Sequence, residues 1–445
     1  MASEGRSSAG GAGAAGEWGD RVRAEVTAGA AETVDLLSEL VRTPSITGSA
    51  AETALQHRLA EAFAGDGLEV DHWPLPLEEL AADPDHPGTE ASRHEGWGLV
   101  GTLRGRGGGR SLMLLSHVDV VPPGDPASWT NPDPFSGHVD GPIGGLIGGG
   151  VLYGRGACDM KGGLAATILA VRALRRSGAP LAGDVLLAAV VSEEDGGLGA
   201  FATLRRGHRA DACIIPEPTG LDVVPAAAGA LTFRLRVPGL AAHAARRAVG
   251  VSAVEKFWLL WEELATLESR RNADVDALME RWSPAYPLSI GIVRAGDWAS
   301  TVPDTLVAEG RLGVALGETV EHARAALEQA VATACSRDPW LAGHPATVEW
   351  SGGQFAPGRL PSDSHLVERV HRAHEAAGGR PRETYGVPYG TDMRLLTGLG
   401  GIPTVHYGPG DAALAHARDE AVPVDEVLAC AGALAMLALD ICGVA

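Results

Sequence analysis

The chain has 445 residues, of which 45% are hydrophobic and 21% are charged, so it contains enough apolar material for a sizeable core. Its 56 acidic residues outnumber its 36 basic residues, and the net charge of −20 argues against nucleic acid or an anionic membrane as a partner. Because no run of about 18 apolar residues occurs, we expect no membrane-spanning helix. The length alone predicts about two to four domains.

The first 20 residues lack the apolar segment of a signal peptide and are typical of a disordered tail. Gly11, Gly13 and Gly16 form a G-x-G-x-x-G pattern, but no strand precedes it, so we predict no dinucleotide site. Without a C-x-x-C pair, the cysteines are interpreted as single buried thiols of a protein in the reducing cytoplasm. They are Cys158, Cys213, Cys335, Cys430 and Cys442.

Apolar strand-like runs alternate with helical segments through the first half of the chain. Short continuous apolar runs predict strands covered on both faces, as in a parallel or mixed sheet with helices outside. The predicted helices are 32–41, 52–65 and 160–178, and the predicted strands are 111–115, 184–191 and 212–215. The glycine-rich stretch 137–156 is interpreted as a mobile surface loop.

The pattern changes near residue 228. Segments 231–239 and 305–316 alternate strictly between apolar and polar residues, which predicts an antiparallel sheet with one wet face. A helix (366–379), a strand (402–407) and a C-terminal helix then restore the first pattern. We therefore predict an α/β fold: a mixed sheet sandwiched by helices (21–228 and 346–445), with an inserted smaller α+β domain (229–345), after a tail (1–20).

Ionisable residues repeatedly follow the apolar runs, at the sheet edge where α/β proteins build their sites. They are His117, Asp119, Asp159, Glu193, Glu194, Glu217 and His416. Each alone is ordinary, but so many carboxylates at one edge would repel one another unless divalent cations were bound.

The set offers nitrogen and oxygen donors without thiolate, which suits two zinc, cobalt or manganese ions. Asp159 would bridge them, and Asp119 would accept the second ring N–H of His117. One of Glu193 and Glu194 would bind metal while the other acts as a general base. The motifs H-E-x-x-H, G-x-S-x-G and G-x-x-x-x-G-K-[ST] do not occur in the sequence.

Five ordered motifs resemble those of the metallohydrolase family that includes acetylornithine deacetylase, succinyl-diaminopimelate desuccinylase, aminoacylase and glutamate carboxypeptidase. They are SHVDVVPPGD, LYGRGACDMKGG, SEEDGGLGA, PEPTG and YGPGDAALAH. The resemblance spans residues from about 35 to 440 and implies a zinc-exopeptidase-like catalytic domain with a lid and dimerisation domain.

The resemblance implies that His117, Asp159 and Glu217 bind one metal ion. It implies that Asp159, Glu194 and His416 bind the second, with Asp159 shared. Glu193 resembles the general base that activates the water between the ions, and Asp119 the partner that orients His117.

In the inserted domain, His243 resembles the histidine that stabilises the oxyanion, often from the other subunit of a homodimer. Arg311 resembles an arginine that binds a substrate carboxylate, and Ser300 stands where the family often has asparagine. Asp419 and Glu420 replace a common Asn-Glu pair. Arg394 is a second candidate for binding the substrate carboxylate. Gly408 and Gly410 are expected to bring backbone N–H groups close to the substrate.

Glu217 resembles the deacylase and carboxypeptidase branches of the family. The sequence therefore predicts a cytoplasmic hydrolase that removes an acyl group from a small N-acyl amino acid, with N-acetylornithine as the first guess. The alternatives are a dipeptidase or carboxypeptidase of the same family, and a non-catalytic relative that binds metal or peptide.

Overall fold

The computed structural model describes residues 10–141 and 149–445 of the chain. Its α-helices are α1 (Gly10–Ala28), α2 (Ala30–Arg42), α3 (Ala50–Gly65), α4 (Leu77–Ala82), α5 (Gly162–Ser177), α6 (Leu198–Arg205), α7 (Ala253–Arg271), α8 (Val320–Arg337), α9 (Leu366–Ala376) and α10 (Val424–Cys442). Its first eight strands are β1 (Glu69–Pro74), β2 (Trp97–Leu103), β3 (Leu112–His117), β4 (His138–Asp140), β5 (Val151–Tyr153), β6 (Val185–Val190), β7 (Ala212–Ile215) and β8 (Val223–Ala227). The remaining strands are β9 (Gly229–Pro238), β10 (Leu288–Ala295), β11 (Thr305–Val314), β12 (Thr347–Phe355), β13 (Gly358–Arg359), β14 (Thr384–Val387), β15 (Thr404–His406) and β16 (Ala421–Pro423).

The large sheet has the strand order β1-β2-β6-β3-β7-β15-β8-β13, with β14 paired to β8. Its centre is parallel, because β6 pairs with β3, β3 with β7, and β7 with β15 in that sense. Strand β2 is antiparallel to both of its neighbours, β1 and β6, and β15 is antiparallel to β8. Four adjacent strands therefore end at the same edge.

Every residue of β3 and β6 is buried, so both faces of the sheet are covered. Helices α5 and α10 pack against each other and against β3, while α3 and α6 pack against β2. The continuous apolar runs of the sequence reflect this two-sided burial. The predicted fold class, a mixed sheet between helices with a smaller α+β insertion, is confirmed.

A second sheet has the order β10-β11-β9-β12, and every pairing in it is antiparallel. Helices α7 and α8 pack on it around their own apolar core. Strand β12 belongs to this sheet and ends at Phe355, so the predicted boundary at residue 345 is ten residues too early. We call residues 229–355 the small unit and the remainder of the described chain the large unit.

Two other expectations from the sequence are corrected. Residues 10–20, predicted as tail, belong to α1, where Val22 is buried and Trp18 packs partly buried against the core. Tertiary packing of this apolar stripe stabilises a helix that glycine-rich composition disfavours. In the glycine-rich stretch, β4 and β5 pair with each other, and β5 pairs with β16, whereas residues 142–148 lie outside the described residues.

The five cysteines are buried and free, as predicted for the thiols. Among the helices of the two described ranges, none is long and apolar enough to cross a membrane.

Candidate active site

Four adjacent parallel strands deliver the predicted ligands to one edge of the large sheet. His117 is the last residue of β3, and Glu193 and Glu194 follow the end of β6. Glu217 follows β7, and His416 lies in the loop after β15. Because parallel strands share the edge at which they end, residues as far apart as 117 and 416 become neighbours.

These side chains form two groups that share Asp159. In one group, His117 Nε2 lies 3.1 Å from Asp159 Oδ1 and 3.9 Å from Glu217 Oε1. In the other, His416 Nε2 lies 2.9 Å from Glu194 Oε2 and 3.5 Å from Asp159 Oδ2. Within each group the potential ligand atoms lie within 4.8 Å of one another. The structure thus brings together the same two sets of three residues that the sequence predicts.

Asp159 is presented by an irregular turn before α5, not by the helix itself. Its backbone is non-helical (φ −115°, ψ 95°). The carboxylate of Glu420 supports this turn by accepting hydrogen bonds from the backbone N–H groups of Asp159 and Cys158, both at 2.9 Å, and of Gly156 at 3.0 Å. Arg155 adds a fourth bond at 2.7 Å. No role for Glu420 was predicted from the sequence, although its position four residues after His416 was a signal.

Glu193, the predicted general base, is only 8% exposed and lines the same cavity as Asp159, Glu194, Glu217 and His416. The carboxylate of Asp119 accepts hydrogen bonds from the backbone N–H groups of Glu193 (3.2 Å) and Glu194 (3.3 Å), and from the Thr47 hydroxyl (2.9 Å). It therefore holds the two glutamates in place.

The predicted contact between the Asp119 carboxylate and His117 is wrong. His117 Nδ1 lies 2.9 Å from the backbone carbonyl oxygen of Asp119, whereas the carboxylate oxygen is 3.7 Å away. The carbonyl still selects the His117 tautomer that leaves Nε2 free for the cluster. The Asp119 carboxylate instead accepts hydrogen bonds from the backbone N–H groups of Glu193 and Glu194.

Burial and neighbouring charges shift the pKa values of the side chains in the cluster. Burial raises the pKa of Glu193 well above its usual range against the opposing effect of His117, and the charges of Glu217, Asp392 and Glu194 add to the increase. Burial and the charge of Asp159 also raise the pKa values of Glu217 and Glu194. Burial alone would raise the pKa of Asp159, but hydrogen bonds with His117 and His416 bring it below its usual range. Hydrogen bonds to Asp159 and Glu194 raise the pKa of His416 to about 11.

These residues fit a pair of divalent cations. The donor set consists of imidazole nitrogens and carboxylate oxygens, without thiolate, and one carboxylate offers an oxygen to each group. Burial is the main cause of the raised carboxylate pKa values and mutual repulsion adds to it, and a bound cation would relieve that repulsion.

A cavity of about 240 Å³ lies against the cluster. Besides Glu193 and four of the five predicted ligands, all except His117, it is lined by Pro218, Tyr389, Gly390, Thr391, Ala412 and Ala415. Arg311 of the small unit donates a hydrogen bond from Nη2 to the carbonyl oxygen of Pro388 at 3.1 Å, beside Tyr389. This places the Arg311 side chain near the cavity wall.

Arg394, the second predicted carboxylate-binding residue, is used by the protein itself. Its guanidinium donates to the carbonyl oxygens of Gly196 (2.8 Å) and Thr391 (3.4 Å) and lies 4.1 Å from the ring centre of Phe355. It is 7% exposed and, within the described chain, is not part of the cavity lining. A buried guanidinium must find acceptors, and backbone carbonyls supply them here.

The predicted role of Gly408 and Gly410 as backbone donors to substrate is also wrong. The Gly408 N–H donates to the Thr219 hydroxyl at 3.1 Å, and the Gly410 N–H donates to Glu426 at 2.7 Å. A Cβ on Gly408 would lie 2.3 Å from the carbonyl oxygen of Pro216. The glycine instead permits the loop to pack closely against the strand end that carries Glu217.

His243 and Ser300 lie together on the exposed surface of the small unit. Ala244 N–H donates to the carbonyl oxygen of Ser300 at 2.8 Å, and the backbones of His243 and Thr301 form an isolated antiparallel β-bridge. The ring of His243 accepts a hydrogen bond from Ala245 N–H at 3.1 Å. Neither His243 nor Ser300 belongs to the cavity lining formed by the described residues of this one chain.

Fold and site together are those of a hydrolase with two adjoining groups of potential metal ligands and Glu193 beside them. Residues 113–440 match the family described as Peptidase family M20/M25/M40. The chain belongs to this family, whose members hydrolyse amide bonds. One solved member, the YXEP protein of Bacillus subtilis, is described as a dinuclear metal-binding peptidase.

Named relatives cover nearly the whole chain. It is 30% identical over 420 residues to a succinyl-diaminopimelate desuccinylase of Gluconacetobacter diazotrophicus, covering 91% of this chain and 95% of that protein. It is 26% identical over 423 residues to an N-formyl-4-amino-5-aminomethyl-2-methylpyrimidine deformylase of Halalkalibacterium halodurans, covering 89% and 91%. The structure of the dipeptidase Dug1p from Saccharomyces cerevisiae superposes with a TM-score of 0.73 at 13% identity, covering 94% and 98%, and shows the shared fold. The predicted enzyme class, an amide hydrolase, is confirmed.

Proposed function

We propose that this enzyme removes a small acyl group from the nitrogen of an N-acyl amino acid or a related amine. The observation that carries the proposal is the shared Asp159 between two ligand groups, with Glu193 beside them in a cavity of about 240 Å³. The two relatives described above are named for removal of formyl and succinyl groups, and both names describe cleavage of an N-acyl bond. N-acetylornithine is the first substrate to test.

Two zinc ions, or cobalt or manganese ions, would be held by His117, Asp159 and Glu217 and by Asp159, Glu194 and His416. When bound, such ions polarise a carbonyl oxygen and make water more acidic. Glu193 accepts a proton from the attacking water and passes it to the amide nitrogen as the carbon–nitrogen bond breaks. The products are a free amine and a small carboxylic acid. Burial of Glu193, which favours its protonated form, supports its role as a proton carrier.

The small unit supplies the other proposed contacts. Arg311 would bind the substrate carboxylate, since a guanidinium can form two parallel hydrogen bonds with it. His243 would stabilise the oxyanion from the second subunit of a homodimer, and Ser300 lies next to it. A cytoplasmic location stays a prediction.

A homodimer is supported by the edge of the small sheet. Strand β10 is at one end of the sheet order, and most of its residues are exposed. Ile292 and Val293 on this strand, and Trp258 and Leu259 on α7, are among the large exposed apolar side chains. An exposed apolar edge strand readily pairs with another chain, so we propose that β10 meets a second copy.

The substrate proposal is tested with the purified enzyme loaded with zinc, cobalt or manganese. We expect release of free amine from one member of a panel of N-formyl, N-acetyl and N-succinyl amino acids and amines, and loss of that release when a chelator is added. Cleavage of dipeptides instead would favour the dipeptidase or carboxypeptidase alternative. No cleavage by enzyme shown to contain two ions would contradict the deacylase proposal.

His243 is tested by combining two defective chains in one dimer. His243→Ala and Glu193→Gln homodimers are each expected to have little activity and unchanged metal content. A heterodimer of the two, purified through a different tag on each chain, is expected to recover about half of the wild-type rate, because one of its two sites has both groups intact. An inactive heterodimer would show that His243 does not act across the interface. A monomeric wild-type protein in light scattering would contradict the dimer itself.

A further inference from the structure

The loop 192–197, between β6 and α6, carries Glu193 and has an unusual backbone. Ser192 has φ 60°, in the left-handed region that residues other than glycine rarely adopt. The turn is closed by hydrogen bonds from Gly197 N–H to the Ser192 carbonyl (2.6 Å) and from Gly196 N–H to the Glu193 carbonyl (3.3 Å). A loop in such a conformation depends on its surroundings to keep Glu193 in place.

Residues 88–93, which we call the strap, hold this loop from one side. The backbone N–H groups of Glu90 and Ala91 donate to the carboxylate of Asp195 at 3.1 and 2.9 Å. Arg93 donates to the Ser192 hydroxyl at 2.5 Å and forms a buried ion pair with Glu52 at 2.7 Å. The strap therefore binds the loop on both sides of Glu193.

The strap packs so closely against loop 192–197 and against β12 that a side chain would not fit at Gly196 or at Gly88. A Cβ on Gly196 of the loop would lie 2.0 Å from the carbonyl oxygen of Gly88. A Cβ on Gly88 would lie 2.6 Å from the carbonyl oxygen of Gly352 in β12. Gly88 thus lies between loop 192–197 and the small sheet.

The side chain of Glu90 connects the strap to the small unit. Its Oε1 accepts hydrogen bonds from the Thr232 hydroxyl of β9 at 3.1 Å and from Gly353 N–H of β12 at 3.0 Å. One residue therefore binds the Glu193 loop with its backbone and the small sheet with its carboxylate. Because Glu90 is exposed, replacing it removes this connection without emptying the core.

A second contact runs in parallel. Arg394 donates to the carbonyl oxygen of Gly196, and its guanidinium lies against the ring of Phe355 at the end of β12. Two neighbouring points of the small sheet are thus connected to the loop that carries Glu193, one through Glu90 and the other through Arg394. A shift of the small sheet would be transmitted to Glu193 through both.

We propose that Glu90 is a positioning residue that couples the small unit to the placement of Glu193. The proposal rests on the proposed function, in which Glu193 carries the proton. A displacement of about 1 Å can cost about 100-fold in rate, and loosening one of two parallel contacts should cost less.

The test compares four variants of the full-length, metal-loaded enzyme. Glu90→Ala removes both hydrogen bonds to the small sheet, and Thr232→Val removes one of them from the opposite side. Glu90→Gln keeps an acceptor oxygen and should behave as wild type. Glu349→Ala is the matched control, because Glu349 lies on β12 but its ion pairs are with Arg236 and Arg234 of the small sheet.

We expect Glu90→Ala to lower kcat by about tenfold with little change in KM, and Thr232→Val to lower it less. We also expect faster amide hydrogen exchange at residues 192–197 in both variants, because the coupling holds this loop. The result for Thr232→Val is decisive, since Thr232 has no hydrogen bond to the loop.

Unchanged exchange at residues 192–197 in Glu90→Ala and Thr232→Val would overturn the coupling, as would an equal effect of Glu349→Ala. The exchange measurement needs no turnover, so it remains informative if Glu193 has another role. Conversely, full activity of Glu193→Gln would defeat the proposed function and leave the exchange result to decide the coupling alone.

Discussion

Replacing Glu193 with glutamine is expected to remove most turnover while both metal ions stay bound. Glutamine keeps the size of the side chain and its acceptor oxygen, but it cannot take a proton from water or return it to the leaving amine. General acid–base catalysis contributes about 100- to 10,000-fold, so we expect kcat to fall within that range. Steady-state rates with the substrate found in the panel, and metal content by mass spectrometry, measure the two halves of this prediction.

Glu383→Gln is a suitable control for this change, because Glu383 has a 75% exposed side chain in a long 3.5 Å contact with Arg281. It should leave rate and metal content unaltered. A Glu193→Gln enzyme with near wild-type kcat would assign the proton transfer to another group. Loss of metal together with activity would instead indicate that Glu193 is needed to keep loop 192–197, which carries the predicted ligand Glu194, in its metal-binding conformation.

Asp159→Asn is expected to prevent the site from holding two ions. The two oxygens of Asp159 face different ligand groups, and asparagine offers one neutral oxygen and an amide that cannot bind a cation. We expect no more than one ion per chain and an activity loss beyond about 100-fold, since even loss of a supporting partner costs 10- to 100-fold. Calorimetric titration with zinc measures the stoichiometry directly.

Thermal unfolding provides an independent measurement of the same prediction. Ions that bind only the folded state raise the unfolding temperature of the wild-type protein, and this increase should shrink in Asp159→Asn. Asp71→Asn serves as the control, because Asp71 pairs with Arg206 and His208 away from the cluster. Two ions bound tightly by Asp159→Asn would rule out Asp159 as the shared ligand.

The sequence predicted the ligand cluster well because periodic patterns carry the necessary information. Continuous apolar runs indicate buried parallel strands, and such strands bring their ends to one edge. His117, Glu194 and Glu217 could therefore be placed near one another without coordinates. Asp159 and His416 lie on turns, and their positions after apolar runs placed them in the same set. The resemblance to known motifs then divided the set into two ligand groups.

The errors concern groups whose hydrogen-bond partners are distant in the chain. Arg394 was expected to face substrate, but it binds the carbonyl of Gly196, which is 198 residues away. The carboxylate of Asp119 was expected on His117, yet it binds amides about 75 positions later. Several acceptors compete for each donor, and sequence spacing does not rank them.

The boundary of the small unit shows the same limitation. Strand β12 has a register shift between Trp350 and Gln354, which interrupts its alternation. An irregular edge strand has a weak periodic pattern, so the boundary predicted from the sequence was placed at residue 345, before this strand. The contacts of β12 with the strap and with Arg394 consequently had no counterpart in the sequence.

By itself, the sequence determined the fold class, the class of reaction and the side chains that gather into two groups of potential metal ligands. These depend on local periodicity and on short motifs, which are properties of neighbouring residues. Only the tertiary structure decided which groups support Asp159 and Glu193, namely Glu420, Asp119 and the strap. Those contacts arise when segments more than 70 residues apart pack together, and each buried polar group takes the partner that packing brings within reach.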